Sequence, residues 1–345
     1  MGNDRFIGYV GTYTKKESKG VYRFELDVHN KKLEQVTVAA ELSNPTYVTV
    51  SKDNKNLYAV AKMGEEGGVA SFSIDENGQL AKINEQSLQG SPPCHIEVNE
   101  ANSVLVTANY HSTLGVLHTI NSEGSVKIVD TAQHEGNGPH ERQEKPHLHY
   151  AGFTPDEKYV VIVDLGTDTI TSYAYESGTL EKKYVFHTKE GSGPRHITFH
   201  PNGQYAFVMT ELSNEVIVLK YDGNGQFEEV QSISTLPGDF TDNSQGSAIH
   251  ISSDGKFVYA GNRGHDSIAI FKVTDKCTLE FVEWTHTEGQ WPRDFVLDPT
   301  ENFLVASNQE SNNLTLFERD KGTGKLTLIE KDIYAPEPVC VKFLK

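Results

Sequence analysis

Apolar and polar residues alternate at every second position over many short segments of this chain. VYRFELD (residues 21–27) and SIAIFKV (267–273) are clear examples, and both are rich in β-branched and aromatic residues. Such alternation predicts β-strands with one buried face. Gly and Asn follow these segments at positions such as ENGQL (76–80) and GNGQF (223–227), where hairpin turns are expected. No long segment has the periodicity of an amphipathic helix, so an all-β fold is predicted.

The strand segments recur as one unit along the whole chain. Each unit begins with a proline, or once a glycine, before a short apolar strand, and in all but the last unit a polar turn and a second β-rich segment follow. Successive landmarks are 46 to 53 residues apart and fall at Pro45, Pro93, Pro146, Pro194, Gly246, Pro292 and Pro338. A repeat of this length is typical of a β-propeller, in which each repeat forms one four-stranded blade. The sequence therefore predicts a seven-bladed β-propeller.

The two ends of the chain are predicted to share the last blade. The last unit has only its inner strand, at 338–343, whereas segments 6–13, 20–27 and 33–42 match the second, third and fourth strands of a blade. Pairing the C-terminal strand with these N-terminal strands leaves no open sheet edge. Seven such units account for nearly all of the chain, so residues 1–345 are expected to form a single propeller domain.

Composition narrows the range of partners. The net charge of −17 argues against nucleic acid and anionic membrane surfaces as partners. The chain has no apolar run of transmembrane length and no signal peptide, and its three cysteines, Cys94, Cys277 and Cys340, lack metal-ligand spacing. A soluble, cytoplasmic protein is expected. An anionic small molecule could bind only where positive charge is concentrated, so the positions of the arginines become important.

Two sets of residues are predicted to surround one opening of the central channel, which we call the mouth. In a propeller blade the first strand lines the channel and the second runs back beside it, so the start of the first and the end of the second share one face. The predicted inner strands begin at Thr46, Cys94, His147 to His149, Arg195, Ser247, Arg293 and Val339. The predicted second strands end at Lys62, Tyr110, Asp164, Glu211, Arg263, Gln309 and either Thr12 or Tyr13.

The second half of the chain places anion-handling residues at these positions. Arg195, Arg263 and Arg293 carry guanidinium groups suited to carboxylate or phosphate. Glu211 among them should stay ionised, and a histidine at the same mouth can transfer protons near neutral pH. This combination favours an enzyme acting on an anion. The alternative is that Arg195 and Arg263 only form ion pairs between blades, with Glu211 and Asp164.

Two longer loops flank the same face. Residues 134–149 carry His140, Arg142 and Gln143 before the third inner strand, and residues 236–247 precede the fifth. Loops of this length in a repeat fold are often functional, and their position favours a partial cover over the mouth. Ordinary surface elaboration is the alternative.

Other short motifs are not expected to carry chemistry. Cys94 and His95 are adjacent in a strand and point to opposite faces, so they do not form a nucleophile–base pair. His147 and His149 could face the same side of a strand as a metal pair, but no third ligand is fixed by spacing. The chain also lacks the GxSxG, P-loop and HExxH motifs. Neither a metal nor a cofactor is expected.

Several blocks of the sequence resemble the bacterial propeller-type 6-phosphogluconolactonase family. The resemblance covers essentially the whole chain and is most specific in GPRH (193–196), TEL (210–212), NRGHDSI (262–268) and WPRDF (291–295). It implies a seven-bladed propeller that hydrolyses 6-phospho-D-glucono-1,5-lactone to 6-phosphogluconate in the pentose phosphate pathway. A related branch, fungal carboxymuconate cyclase, handles another lactone on the same scaffold.

The resemblance also implies a site of one histidine, two arginines and one glutamate. By motif these fall on Arg195, Glu211, Arg263 and either His147 or His149, because PHLH has extra residues relative to PRH. The expected roles are anion or oxyanion binding for the arginines, and activation of water for Glu211 or a histidine.

The resulting prediction is a metal-independent lactonase with an anionic lactone as substrate. The predicted catalytic residues are Glu211, His147, His149, Arg195 and Arg263. The predicted substrate-binding residues are Arg293, Arg142, Gln143, Asp164, Gln309 and Tyr110. Two alternatives stay open: a lactonase or cycloisomerase for another sugar-acid or muconate-type lactone, and a propeller that binds an anion without turnover.

Overall fold

The alternating segments form 28 β-strands in a computed structural model that describes residues 4–176 and 178–345. The first three strands are β1 (Arg5–Thr12), β2 (Gly20–Asp27) and β3 (Lys32–Glu41). Blade 1 contains β4 (Val48–Val50), β5 (Asn56–Met63), β6 (Glu66–Ile74) and β7 (Leu80–Gln89). Blade 2 contains β8 (His95–Val98), β9 (Val104–Ala108), β10 (Leu114–Ile120) and β11 (Val126–Gln133). Blade 3 contains β12 (Leu148–Phe153), β13 (Tyr159–Asp164), β14 (Thr169–Ala174) and β15 (Glu181–His187).

The remaining strands continue the same pattern. Blade 4 contains β16 (Pro194–Phe199), β17 (Tyr205–Thr210), β18 (Glu215–Tyr221) and β19 (Phe227–Ser234). Blade 5 contains β20 (Gln245–Ile251), β21 (Phe257–Arg263), β22 (Ser267–Val273) and β23 (Leu279–His286). Blade 6 contains β24 (Pro292–Leu297), β25 (Phe303–Asn308), β26 (Asn313–Arg319) and β27 (Leu326–Tyr334). The last strand is β28 (Pro338–Phe343).

Each blade is a four-stranded antiparallel sheet whose inner strand pairs with the second strand of the same unit. Blade 7 has the order β28-β1-β2-β3, so it is built from both ends of the chain as the sequence predicted. The inner strand β28 contacts the inner strands of blades 6 and 1, β24 and β4, and this closes the ring. The seven-bladed propeller is thereby confirmed. Among the described residues, no helix has the length and apolar character needed to cross a membrane.

The hydrophobic core lies between neighbouring blades. In one cluster, Phe207 and Val218 of blade 4 pack with Val258 and Phe271 of blade 5, and all four side chains are fully buried. Burying each such side chain stabilises the fold by roughly 1.5–3 kcal/mol. The middle strands are accordingly buried, whereas an outer strand such as β15 is mostly exposed. The two alternating segments, β2 and β22, are thus buried on both faces along most of their length and not on one face as predicted, because a middle strand packs against a neighbouring blade on each side.

Hydrogen bonds also tie the outer hairpins to the preceding blade. The hydroxyl of Tyr9 donates to the carbonyl of Gly78 at 2.8 Å, and the hydroxyl of Tyr259 donates to the carbonyl of Gly324 at 2.8 Å. Both glycines have positive φ, 72° for Gly78 and 74° for Gly324, which the hairpin turn requires. The glycine turns seen in the sequence thus also hold adjacent blades in register.

Candidate active site

A cavity of about 710 Å³ opens at the mouth of the channel. All seven blades, or loops joined to them, contribute to its lining. The predicted site residues that line it are Tyr110, Arg142, His149, Glu211, Arg263 and Arg293. The ends of inner and second strands do meet around one concave space.

Glu211 is the centre of this cavity's charge network. Its Oε2 accepts a hydrogen bond from Nε of Arg195 at 3.1 Å and lies 2.7 Å from Nη2 of Arg263, while its Oε1 contacts Nη2 of Arg142. Glu211, Arg195 and Arg263 are at most 3% exposed. Of the inter-blade ion pairs considered from the sequence, Arg263–Glu211 joins blades 5 and 4, whereas Arg195–Glu211 lies within blade 4 and Asp164 instead contacts His134. One carboxylate is surrounded by three guanidinium groups.

The backbone of Glu211 is held by both neighbouring inner strands. The residue follows β17, and its amide donates to the carbonyl of Gly193 at 2.7 Å. Its own carbonyl accepts from the amide of Gly246 at 3.1 Å, at the start of β20. The carboxylate is thus placed at the junction of blades 4 and 5, where arginines from both can reach it.

The loop 134–149 supplies the third guanidinium. Arg142 extends from this loop to Glu211 and lines the cavity, so the loop covers part of the mouth. Gln143 is fully buried, and its Nε2 donates to the carbonyl of Leu165 at 2.8 Å while its amide donates to the carbonyl of His140 at 2.8 Å. Gln143 lies outside the cavity lining and holds the loop that presents Arg142.

Electrostatics fix the protonation states of this cluster. Burial by itself would raise the pKa of Glu211, but the charges of Arg263 and Arg195 hold that pKa well below its usual range. Burial lowers the pKa of Arg263 to about 9. Burial, followed by the charge of Arg293, also lowers the pKa of Arg195. At neutral pH Glu211 is ionised and Arg263 remains protonated.

The structure separates the two candidate histidines. His149 lines the cavity, and its Nδ1 is buried without a hydrogen-bond partner in the described residues. Burial and the charge of Arg195 hold the pKa of His149 well below its usual range, so the ring is neutral. His147 lies outside the lining: its Nδ1 donates to the carbonyl of Tyr110 at 3.0 Å, and its Nε2 is 3.1 Å from the carboxylate of Glu144. Both nitrogens of His147 are already in use.

A recurrent irregularity explains why His149 faces the cavity. The pairing of β12 with β13 shifts register between Leu148 and Tyr150, that is, at His149. The pairing of β16 with β17 shifts in the same way at Arg195, and that of β24 with β25 shifts at Arg293. A β-bulge redirects a side chain at the end of a strand and is common beside active sites. His149 is therefore the positional equivalent of Arg195 and Arg293.

Two other predicted binding residues, Asp164 and Gln309, lie outside the cavity lining. Asp164 is fully buried, with its carboxylate 2.9 Å from Nδ1 of His134 and accepting from the amide of His147 at 2.8 Å. Gln309 donates through Nε2 to the side chain of Glu310 at 2.9 Å. Neither Asp164 nor Gln309 lines the cavity.

Cys94 lines the cavity but is a poor nucleophile. Burial raises the pKa of its thiol to about 12, and Sγ donates to the carbonyl of Leu148 at 3.3 Å. Its neighbour His95 faces a second cavity of about 330 Å³ at the opposite end of the channel, which we call the distal cavity and which Tyr47 and Lys342 also line. Within residues 4–176 and 178–345, no group of three or more His, Cys, Asp or Glu side chains is arranged to hold a metal ion.

Sequence reasoning missed Trp291, which lines the cavity directly before the landmark Pro292. Trp291 has φ of 62°, in the left-handed region, and the residues before three other landmark prolines do likewise: Asn44 at 49°, Gly193 at 60° and Glu337 at 47°. A bulky residue at such a position is strained, and strain of this kind concentrates at functional sites. The guanidinium of Arg263 lies 5.5 Å from the centroid of its ring. The sequence signal for Trp291 was a tryptophan directly before a landmark proline, where two other repeats have Asn or Gly.

Lys15, His111 and Gln245 also line the cavity and were not predicted. All three are close in sequence to the residues predicted around the mouth. Lys15 and His111 lie in loops, and Gln245 is the first residue of β20. Loop residues are not fixed by strand alternation, so the repeat pattern gave no direct signal for Lys15 or His111.

A closed seven-bladed ring with a buried carboxylate and several guanidinium groups in one mouth defines a propeller built around an anion-handling site. The family profile described as "Lactonase, 7-bladed beta-propeller" matches residues 7–343. The chain belongs to this family of seven-bladed lactonase propellers.

Individual relatives agree with this assignment. The chain is 55% identical over 344 residues to a Bacillus subtilis protein named 6-phosphogluconolactonase, covering 99% of each chain. A crystal structure of a Lactobacillus plantarum protein matches with a TM-score of 0.96 at 40% identity, covering 99% of this chain and 100% of that one. The structure of the Pseudomonas aeruginosa periplasmic gluconolactonase PpgL matches with a TM-score of 0.94 at 28% identity, covering 99% of each chain.

Proposed function

We propose that this protein is a carboxylic-ester hydrolase that converts 6-phospho-D-glucono-1,5-lactone to 6-phosphogluconate, a reaction of the pentose phosphate pathway. The similarity to the Bacillus subtilis 6-phosphogluconolactonase over the whole chain supports this substrate. The observation that carries the proposal is the cavity itself, which His149 lines together with Glu211 and two of the three guanidinium groups paired with it, those of Arg142 and Arg263.

In this proposal the guanidinium groups stabilise the negative charge that develops on the lactone carbonyl oxygen. Arg195 and Arg263 are each tied to Glu211 through one nitrogen, which fixes the planes of both groups. Arg263 also donates from Nη2 to the carbonyl of Gly246 at 2.7 Å and from Nε to that of Gln245 at 3.4 Å, and Nη1 of Arg195 lies 3.4 Å from Nε2 of His196. The N–H groups not used in these contacts are the proposed donors for an oxyanion in a site of low dielectric constant, where such preorganised donors are most effective. Glu211 serves as the anchor that orients these cations, because both of its carboxylate oxygens are already engaged by guanidinium groups.

His149 is the proposed general base. A neutral imidazole can accept the proton of a water molecule as the water oxygen bonds to the lactone carbonyl carbon. The ring C–O bond then breaks, and the same proton passes to the departing alkoxide. Because burial and neighbouring cations disfavour the protonated ring, His149 releases the proton readily. The carboxylic acid product ionises and leaves one proton in solvent.

The other predicted residues take supporting roles in the proposal. Arg142 and Tyr110 line the cavity and contact the substrate. Gln143, Asp164 and His147 hold the loop 134–149 and β12 in place. Gln309 is a more distant support, since it lies outside the lining.

We further infer that residues 1–345 act as one propeller domain in the cytoplasm. Three free cysteines, Cys94, Cys277 and Cys340, are consistent with a reducing compartment. A small anionic lactone is the proposed partner, and nucleic acid and membrane surfaces are not, in keeping with the net charge of −17.

A second substrate follows from the Pseudomonas aeruginosa relative, which is named a gluconolactonase. Unphosphorylated glucono-1,5-lactone would use the same carbonyl chemistry and lack only the phosphate contacts. Comparing the two lactones in one assay decides between them.

The test is a coupled assay with a matched pair of variants. Glucose-6-phosphate dehydrogenase generates the phosphorylated lactone in place, and formation of 6-phosphogluconate is followed with and without the protein, against the spontaneous rate. Arg195→Ala should abolish the acceleration. Arg319→Ala removes a buried guanidinium that donates to Tyr259 at 2.6 Å, away from the cavity, and should retain it. Full activity of Arg195→Ala, or no acceleration by the wild type, would refute the proposal.

A further inference from the structure

The cations of the mouth fall into two groups. Arg142, Arg195 and Arg263 all contact the single carboxylate of Glu211. Of these three, Arg142 and Arg263 line the cavity. A second group, Arg293, Lys15 and Lys62, lines it too, but in the described part of the chain none of these three side chains forms an ion pair.

The two groups lie on different sides of the ring. Arg142, Arg195 and Arg263 belong to blades 4 and 5 and to the loop before blade 3. Arg293 begins blade 6, Lys15 follows β1 of blade 7 and Lys62 ends β5 of blade 1. Blades 6, 7 and 1 are consecutive, because β28 contacts both β24 and β4. The cavity therefore has one wall where a buried carboxylate pairs with guanidinium groups, and one wall where three cations form no ion pair, although the exposed Glu65 also lines the cavity there.

Arg293 is the most informative member of the second wall. Its Nε is buried and has no hydrogen-bond acceptor among residues 4–176 and 178–345. Its guanidinium lies 5.8 Å from the ring centroid of Tyr13, and its charge lowers the pKa of the nearby Arg195. A buried donor without an acceptor costs free energy, and a positive charge beside other positive charges adds to that cost. Such an arrangement is expected where a ligand supplies the missing acceptor.

The wall is unusual for this protein. The chain has 48 acidic and 31 basic residues, so three cations without acidic partners around one cavity run against the average surface. Lys15 and Lys62 are exposed at the rim and Arg293 is half-buried below them. Together they form a graded path of positive charge into the cavity, which attracts and retains an anion.

We propose that Arg293, with Lys15 and Lys62, binds the 6-phosphate of the substrate and makes the enzyme selective for the phosphorylated lactone. This inference rests on the proposed lactonase function and assigns its specificity. In the 1,5-lactone the 6-phosphate extends from C5, which the ring oxygen joins to the carbonyl carbon C1, so the carbonyl can face one wall while the phosphate, on its flexible C6 arm, contacts the neighbouring wall. A guanidinium can bind two phosphate oxygens at once, whereas the lysines supply point charges.

The first experiment compares kcat/KM for 6-phosphoglucono-1,5-lactone and for glucono-1,5-lactone. In Arg293→Gln the ratio of the two values should fall on the order of 100-fold, the loss expected for charged hydrogen bonds to a phosphate. Arg293→Lys should recover part of it. Lys127→Gln, which removes an exposed cation on the outer strand β11, should leave the ratio unchanged. An equal loss on both lactones, or no loss, would overturn the proposal.

The second experiment separates this proposal from the proposed reaction. Calorimetry measures binding of 6-phosphogluconate, gluconate and inorganic phosphate to wild type and Arg293→Gln. Tighter binding of 6-phosphogluconate than of gluconate, lost in the variant, supports the phosphate subsite even if no lactone is turned over. Turnover of the phosphorylated lactone with equal binding of both sugar acids would leave the reaction standing and refute the subsite.

Discussion

The two ends of the central channel use buried charge in different ways. At the mouth, one carboxylate, Glu211, faces three guanidinium groups, with Arg293 close by and unpaired. Behind the lining of the distal cavity, Asp294 lies 3.0 Å from Nε2 of His250 and 3.9 Å from Nζ of Lys342. One carboxylate there is shared by two side chains that line the cavity.

The carboxyl group of Glu97, which lines the distal cavity, also has a hydrogen-bond partner within the fold. Glu97 accepts from the hydroxyl of Tyr150 at 2.8 Å, and burial raises its pKa, which favours the uncharged form. Between the two ends lie the rings of His149, His196 and His95, with successive centroids 5.2 Å apart. Burial and polarity alone therefore do not distinguish a reactive site in this protein. The convergence of three guanidinium groups on one buried carboxylate does.

Glu211→Gln should have the largest effect, because it removes the carboxylate that pairs with three guanidinium groups at the mouth. We expect kcat/KM to fall by about 100-fold or more as Arg195 and Arg263 lose their anchor. Leaving buried cations unpaired should also lower the free energy of unfolding by about 3–5 kcal/mol. The coupled assay and urea denaturation measure the two effects.

Glu97→Gln is the matched control at the distal end. The amide can still accept from Tyr150, so both activity and stability should change little. If Glu97→Gln reduced turnover as much as Glu211→Gln, the contrast between the two ends would be wrong.

His149→Asn and His147→Asn sharpen the comparison within the mouth. His149→Asn should lower kcat on the order of 100-fold and remove the acid limb of the pH–rate profile, since the proposed base is gone. His147→Asn should cause a smaller loss and keep the shape of the profile, because His147 acts through hydrogen bonds to Tyr110 and Glu144. Loss of the acid limb in His147→Asn alone would reverse the assignment.

Asp294 gives the smallest effect, on stability and not on turnover. Burial alone would raise its pKa, but the charge of Lys342 and the hydrogen bond from His250 lower it from 3.8 to about 2. The ionised group therefore stabilises the fold by about 2 kcal/mol above roughly pH 4, and this contribution is lost as the pH falls through about 2.

Asp294→Asn should accordingly remove most of that stability at pH 6 and less at pH 3. Urea denaturation at both pH values provides the measurement, and Asp254→Asn, at an exposed turn, is the control. If the difference in unfolding free energy between wild type and Asp294→Asn grew as the pH fell, it would contradict the role given to the lowered pKa of Asp294.

The repeat pattern of the sequence was sufficient to predict the fold. Segments 6–13 and 20–27 were predicted as strands of the shared blade, and the structure has β1 at Arg5–Thr12 and β2 at Gly20–Asp27. Strand alternation and repeat length depend only on local sequence, and the repetition corrects individual errors. The set of blades that meet at the mouth followed from the same periodicity.

The details of the site depended on features that a period-two pattern does not contain. The bulge at His149 shifts the register of β12, so alternation from Pro146 could not decide between His147 and His149. The left-handed backbone of Trp291 and the loop position of Lys15 are equally invisible to alternation. Gln143, Asp164 and Gln309 lie near the mouth in sequence, but Gln143 and Asp164 bond within the fold and Nε2 of Gln309 donates to Glu310.

Blade 7 contains strands from both ends of the chain, so it is completed only late in synthesis. Strands β1 to β3 leave the ribosome first and cannot complete their sheet until β28, some three hundred residues later, has been translated. At elongation rates of about 5–20 residues per second this delay is on the order of tens of seconds, during which the inner edge of β1 is unpaired. Tyr13 and Lys15 reach the mouth only when that sheet closes. A nascent chain therefore carries Glu211 and its arginines long before it has a complete substrate pocket.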